Sequence, residues 1–195
     1  MNALWILGLA CTGTASDETG VSEPEDTNSV AQDTASDPFE EIRAVQPSSL
    51  LQGENPCREP ELLEVDYVHD GDTLFVVQEG GGSQEKVRII GLDTPEIDPV
   101  ECYGEEARDY LRSLLPEGQL VWLSFDTECE DDYGRSLAYV HLGAASVEEF
   151  VNWSLLRHGF ATVYTWDDTD TFADLFVAAE ADAREEDLGL WSACE

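Results

Sequence analysis

Three short stretches carry side chains of the kinds that handle phosphates and divalent cations. HDGDT, residues 69–73, sets Asp70 and Asp72 on either side of a glycine. RIIGLDTPE, residues 88–96, begins at Arg88, continues through an apolar run and ends on Asp93, Thr94, a proline and Glu96. DDYGR, residues 131–135, adds Arg135 after a turn glycine. Hard cations take oxygen ligands from carboxylates, carbonyls and water. A carboxylate within reach of a water can orient or deprotonate it. A guanidinium grips a phosphate through rigid paired donors, which an ammonium lacks. Each stretch alone also has a plain reading, since Asp-Gly is a common turn and an arginine in an acidic chain readily finds a surface ion pair. His69, His141 and His158 match no position this chemistry needs and read as structural.

The surrounding pattern says what must position these groups. LEVDYVH, TLFVVQ, KVRIIGL, QLVWLSFD and SLAYVHL are short, rich in β-branched and aromatic residues and separated by turn signals, which predicts five strands. HDGDT falls at the turn between the first two strands, RIIGLDTPE at the end of the third, and DDYGR before the fifth. Between strands three and four, GEEARDYLRSLLP repeats its apolar residues Ala107, Tyr110, Leu111, Leu114 and Leu115 at helical spacing. A second helix is expected at SVEE, where Ser146 and Glu149 form a capping box. A third carries Phe172, Leu175, Phe176, Ala179 and Ala183 on one face. The order predicts an α+β fold: a five-stranded Greek-key β-barrel of the OB type with three helices.

Composition bounds the rest. The chain has 195 residues, 42% of them hydrophobic, enough for one sizeable core. It has 43 acids against 9 bases, a net charge of −34. From Cys57 onward there are 33 acids and 8 bases, so the folded part is itself acidic, and its mean field repels nucleic acid and anionic membranes. Its one lysine is Lys86. MNALWILGLAC, residues 1–11, resembles a bacterial lipoprotein signal with Cys11 as the lipidated residue, the alternative being an ordinary signal peptide. No basic residue precedes its apolar run, which a start codon further upstream would explain. Residues 12–56 are read as an acidic disordered linker and residues 57–195 as the domain. Both readings of the leader make this an exported protein, on an outer surface, in a periplasm or secreted. Four cysteines remain, Cys57, Cys102, Cys129 and Cys194, in no zinc-binding spacing. Two disulfides are expected, with three pairings open. Because Cys102 and Cys129 flank the motifs while Cys57 and Cys194 bracket the domain, the expected pairs are Cys102–Cys129 and Cys57–Cys194.

Taken in order, D-G-D-T, R-x-x-x-x-D-T-P-E and D-x-Y-G-R resemble the staphylococcal nuclease (thermonuclease) family, over about residues 61–191. The resemblance implies a calcium-dependent nuclease that cleaves DNA and RNA with little sequence preference, as a monomer with no protein partner. By the same resemblance Asp72 and Asp93 are metal-binding carboxylates and Thr94 a carbonyl ligand, with Asp70 fixing the metal site from behind. Glu96 orients or deprotonates the attacking water, and Arg88 and Arg135 hold the scissile phosphate. Tyr133, Tyr164 and Trp166 are candidates for stacking on bases. Two departures bear on substrate grip: Asp132 stands where better-known members have a lysine, and the loop IDPVEC is short and has no lysine. The rival reading is a non-catalytic OB-type binding module. A module that had lost catalysis would be expected to lack one of Arg88, Glu96 or Arg135, and all three are present.

Overall fold

A computed structural model of the chain describes residues 37–165 and 171–194. Five strands close into a barrel in the order β1–β2–β3–β6–β5, with β5 returning to pair with β1. They are β1 (Glu61–Val68), β2 (Thr73–Val77), β3 (Glu85–Ile89), β5 (Leu120–Ser124) and β6 (Ser136–His141). All neighbours are antiparallel except β3 and β6. The five strands read from the sequence are these, because alternation sends Leu74, Val76, Val87 and Ile89 inward while Phe75, Lys86 and Arg88 stand on the outer face.

Three longer helices pack on the barrel: α2 (Gly104–Leu114), α3 (Val151–Arg157) and α4 (Ala173–Glu185). Helix α2 turns Ala107 and Leu111 into the core, and α3 and α4 meet around Leu155, Phe176 and Ala179, all buried. The expected capping box is present, with the Glu149 carboxylate accepting from the backbone N–H of Ser146 at 3.3 Å. It closes a 3-10 turn, Val147–Glu149, and the α-helix itself starts at Val151. Two elements carry too few residues to show a period: the two-stranded sheet of β4 (Leu92–Asp93) with β7 (Thr162–Val163), and the short helix α5 (Leu190–Ala193).

The boundary expected at residue 57 lies too late. Helix α1 (Glu40–Ala44) and the segment after it lie on the outer face of β5, where Ile42 and Leu50 are buried against Leu120 and Trp122. Trp122 donates its indole N–H to the Ile42 carbonyl at 2.9 Å, and Ser124 its hydroxyl to the Leu51 carbonyl at 2.5 Å. Without this arm a tryptophan and a leucine would face water, at a cost of about 2 kcal/mol for each large apolar side chain. Residues 37–56 are thus partly fold, not linker; Cys11, the residue expected to be lipidated, lies outside the described residues.

The disulfide pairing also differs from expectation. Cys57 pairs with Cys129, their Cα atoms 5.6 Å apart, and Cys102 pairs with Cys194 at 5.8 Å. The arm is the reason for the first: Gly53 donates to the Phe125 carbonyl at 2.9 Å and Cys57 to that of Asp126 at 2.7 Å, which lays Cys57 beside the loop after β5. For the second, α5 carries the C-terminal segment back to the residues before α2.

Candidate active site

The turn between β1 and β2 is closed by backbone bonds from His69 and Asp70 to the Thr73 carbonyl, and Asp70 Oδ1 accepts from the Asp72 N–H at 3.1 Å. Asp70 therefore shapes the turn that presents Asp72. Asp72 is only 7% exposed, and its carboxylate is heavily solvated by protein. Thr94 donates to Oδ2 from its N–H at 3.1 Å and from its hydroxyl at 3.0 Å, while the Thr73 hydroxyl donates to Oδ1 at 3.0 Å. Gly71 has to be glycine for this packing, since a Cβ there would sit 2.6 Å from Thr94 Oγ1.

Arg88 faces Thr73 across the β2–β3 pair and lies between two acids. One terminal nitrogen pairs with Asp72 and the other with Asp93 Oδ1 at 2.6 Å. Asp93 belongs to β4 and is held there by pairing with Thr162. Glu96 follows on an exposed loop, its backbone N–H held by Glu101 Oε2 at 3.1 Å. Gly104 lets the start of α2 close on this loop, because a Cβ would lie 2.4 Å from the Glu96 carbonyl.

These carboxylates crowd one another. Burial pushes the Asp70 carboxyl above its usual range, and the charge of Asp72 adds to the effect. Burial likewise raises Asp93, with Asp72 and Glu101 acting in the same direction against Arg88. Glu96 is raised by burial and then by the charges of Asp72, Asp70 and Asp93. One arginine does not balance that cluster, and a divalent cation would relieve it. Among the described residues no three His, Cys, Asp or Glu side chains form a ready-made metal cluster, and Arg88 engages the two carboxylates best suited to ligation. The donor set, all oxygen and rich in carboxylate, fits a hard cation such as calcium.

Arg135 comes from the opposite side. Its Nε donates to Asp131 Oδ2 at 2.7 Å, and Asp131 Oδ1 accepts from the N–H groups of Tyr133 and Arg135, each at 2.9 Å. Burial alone would raise the Asp131 carboxyl, yet these bonds and the Arg135 charge hold it below its usual range. The Arg135 guanidinium lies 5.6 Å from the centre of the Tyr133 ring.

A cavity of about 930 Å³ unites both sides, lined among others by Asp70, Asp72, Arg88, Asp93, Glu96 and Arg135. Tyr133 and Tyr164 stand on its rim, 86% and 46% exposed, as stacking residues would; Trp166 lies outside the described residues. Thr94 sits behind the cavity, buried, with its side chain and N–H committed to Asp72. Sequence reasoning missed Asp131 as the partner of Arg135, Glu101 as the partner of Glu96, and His69 and Lys86 as lining residues. Of these, Asp131 had a legible signal, an acid four residues before an arginine across a turn glycine. His141 and His158 are structural: His141 bonds Ser124 Oγ at 2.8 Å and stacks on Phe150, and His158 Nδ1 lies 2.8 Å from the Ser154 carbonyl.

An OB-type barrel whose rim gathers carboxylates and two arginines in one cleft defines a class of phosphate-handling protein. The profile of the family described as Staphylococcal nuclease homologue matches residues 86–193. The thermonuclease of Staphylococcus intermedius is 37% identical over 131 residues, 65% of this chain and 74% of that protein. Endonuclease YncB of Bacillus subtilis (strain 168) is 33% identical over 192 residues, 94% of this chain and 85% of that protein. The thermonuclease of Staphylococcus hyicus is 36% identical over 129 residues, 64% of this chain and 72% of that protein. The chain belongs to the staphylococcal nuclease family.

Proposed function

We propose that this chain is a calcium-dependent nuclease that hydrolyses phosphodiester bonds of DNA and RNA with little sequence preference. The observation that carries the reading is the meeting of Asp72, Asp93, Arg88, Glu96 and Arg135 in one cavity, delivered by the three stretches 69–73, 88–96 and 131–135. Relatives named thermonuclease and endonuclease support it.

In this reading Asp72, Asp93 and the Thr94 carbonyl hold the cation. When bound, calcium neutralises phosphate oxygens and so makes the phosphorus a better electrophile. Arg88, drawn off its two carboxylates, turns to the scissile phosphate, and Arg135 meets it from the other side. Both donate to oxygens on which charge grows in the transition state. Glu96 lines the same cavity, and its carboxylate is the group that would take or orient a water proton there. Tyr133 and Tyr164 offer ring faces to bases without reading their edges, which suits a substrate of any sequence.

Two cystines fit an oxidising compartment, and with the leader around Cys11 they support export, with a lipid anchor as the finer proposal. No helix among the described residues is long and apolar enough to cross a membrane. The test is digestion of plasmid DNA and of RNA by the purified chain. Cleavage with calcium that stops on chelation is expected, and intact nucleic acid with calcium present would refute the reading.

A further inference from the structure

Next to Arg88, on the same outer face of the barrel, lies a row that the site does not account for. Tyr67 is paired with Phe75 across β1 and β2, and Phe75 with Lys86 across β2 and β3. The Tyr67 and Phe75 rings stack at 4.5 Å with planes 12° apart, and Lys86 Nζ stands 5.7 Å from the Phe75 ring centre. All three side chains are only half-buried. Lys86 is two residues before Arg88 on β3, so the two residues stand about 7 Å apart along the strand and on one face. Lys86 and His69 both line the cavity, and His69 meets Phe75 edge-on at 6.3 Å.

The pairing of charges makes this row unusual. Every arginine from Arg43 to Arg184 is engaged by a carboxylate. Among the described residues Lys86 is the one Lys or Arg with no ion pair, in a chain of net charge −34 that offers acids almost everywhere. Of the acids on either side of the row, Asp66 accepts from the Gln84 amide and Asp70 faces His69 at 3.9 Å. An unpaired cation beside a stacked aromatic pair, one strand step from a phosphate-binding arginine, matches the chemistry of a nucleotide: a phosphate for the ammonium and a base for the ring.

We propose that Tyr67, Phe75 and Lys86 form a second nucleotide subsite, which takes an unpaired nucleotide flanking the scissile phosphate of a single-stranded substrate. The proposal rests on the nuclease reading for the position of the scissile phosphate. The subsite offsets part of what Asp132 and the lysine-free loop IDPVEC fail to supply.

The test separates binding from turnover. Fluorescein-labelled dT12 is titrated with the full chain in EDTA at several salt concentrations above about 0.15 M, where the long-range repulsion is screened, and followed by anisotropy, so that nothing is cut. Lys86→Gln should weaken binding and reduce the slope of log K against log salt by about 0.7, the loss of one phosphate contact on a single strand. Tyr67→Ala should weaken binding about fivefold or more, and Tyr67→Phe should restore it. Neither Lys86→Gln nor Tyr67→Phe disturbs the core, so the answer survives if Tyr67→Ala folds poorly. Affinity and slope unchanged in Lys86→Gln, or no measurable binding by the parent chain, would overturn the subsite. A chain that shows these effects but cuts nothing with calcium refutes the nuclease reading alone; one that cuts but shows none refutes the subsite alone.

Discussion

The two sides of the cleft are held by different means. On the strand side Asp72 is buried and bound by Thr73, Thr94 and Arg88, so its geometry follows from the barrel register. On the loop side Arg135 leaves the barrel at the start of β6, on a turn with no packed core of its own. Its position depends on Asp131, on the Leu137 N–H bonding the Cys129 carbonyl at 3.0 Å, and on the Cys57–Cys129 bridge to the arm. A catalytic group on paired strands inherits rigidity from the fold. One on a loop needs its own staples, and here a segment distant in sequence supplies them.

The largest effects should come from the reacting groups themselves. Glu96→Gln, Arg88→Ala and Arg135→Ala should each lower kcat/KM on DNA by about a hundredfold or more if, as proposed, each group acts on the transition state; thermal stability should stay nearly unchanged in Glu96→Gln and fall in Arg88→Ala, which removes the cation paired with the buried Asp72. Asp72→Ala should in addition raise the calcium concentration needed for half-maximal rate. Steady-state kinetics with a calcium titration on each variant would show this, and near-parental turnover by Glu96→Gln would remove that residue from the chemistry.

The staple comes next. Replacing Cys57 and Cys129 by serine opens a loop with a sequence separation of 72 and should cost about 4 kcal/mol in the chain-entropy treatment. Measured at a temperature where the variant is still folded, kcat/KM should drop by about tenfold or more, because a misplaced arginine loses alignment with the phosphate. Unreduced peptide mapping of the parent chain should find Cys57 linked to Cys129 and Cys102 to Cys194.

A smaller effect tests the seat of the arm. His141 is buried, donates or accepts at Ser124 Oγ, and Ser124 in turn holds the Leu51 carbonyl. Burial pushes the His141 pKa down to about 4, against 6.5 for a free ring, with the Leu51 carbonyl acting weakly the other way. The unfolded chain therefore binds a proton that the folded chain refuses. The stability this contributes is complete above pH 6.5 and is lost as pH falls from there towards 4, by about 1.4 kcal/mol per unit at most. Denaturant unfolding across that range should show a steeper loss for the parent than for His141→Gln.

Charge provides the smallest effect. The acidic domain repels DNA at long range while the cleft attracts it at contact, and the screening length falls from about 30 Å at 0.01 M salt to about 8 Å at 0.15 M. At saturating calcium kcat/KM should rise modestly from low to moderate sodium chloride before it declines. A steady fall from the lowest salt upward would mean that the local patch outweighs the mean field.

Sequence legibility follows the same division. The five strands and three longer helices were readable because burial imposes a period on TLFVV, EKVRI or GEEARDYLRSL. The strand-side motifs were readable because they sit at the ends of those strands. The arm was not, since Ile42 and Leu50 are isolated apolar residues beside an acidic, low-complexity run, and what makes them core is Trp122, far along the chain. The cystine pairing depends on that same arm, so it could not be had from spacing. Lys86 was visible as the only lysine, but its lack of an ion pair is a fact of three dimensions.

The proposed division into a strand side that holds the cation and a loop side that holds only phosphate is tested most directly by calcium calorimetry on two variants without substrate. Asp72→Asn should lose measurable calcium binding, while the Cys57, Cys129 double serine variant, still folded, should bind calcium with the parent affinity. Calcium binding lost in both, or kept in Asp72→Asn, would contradict the account.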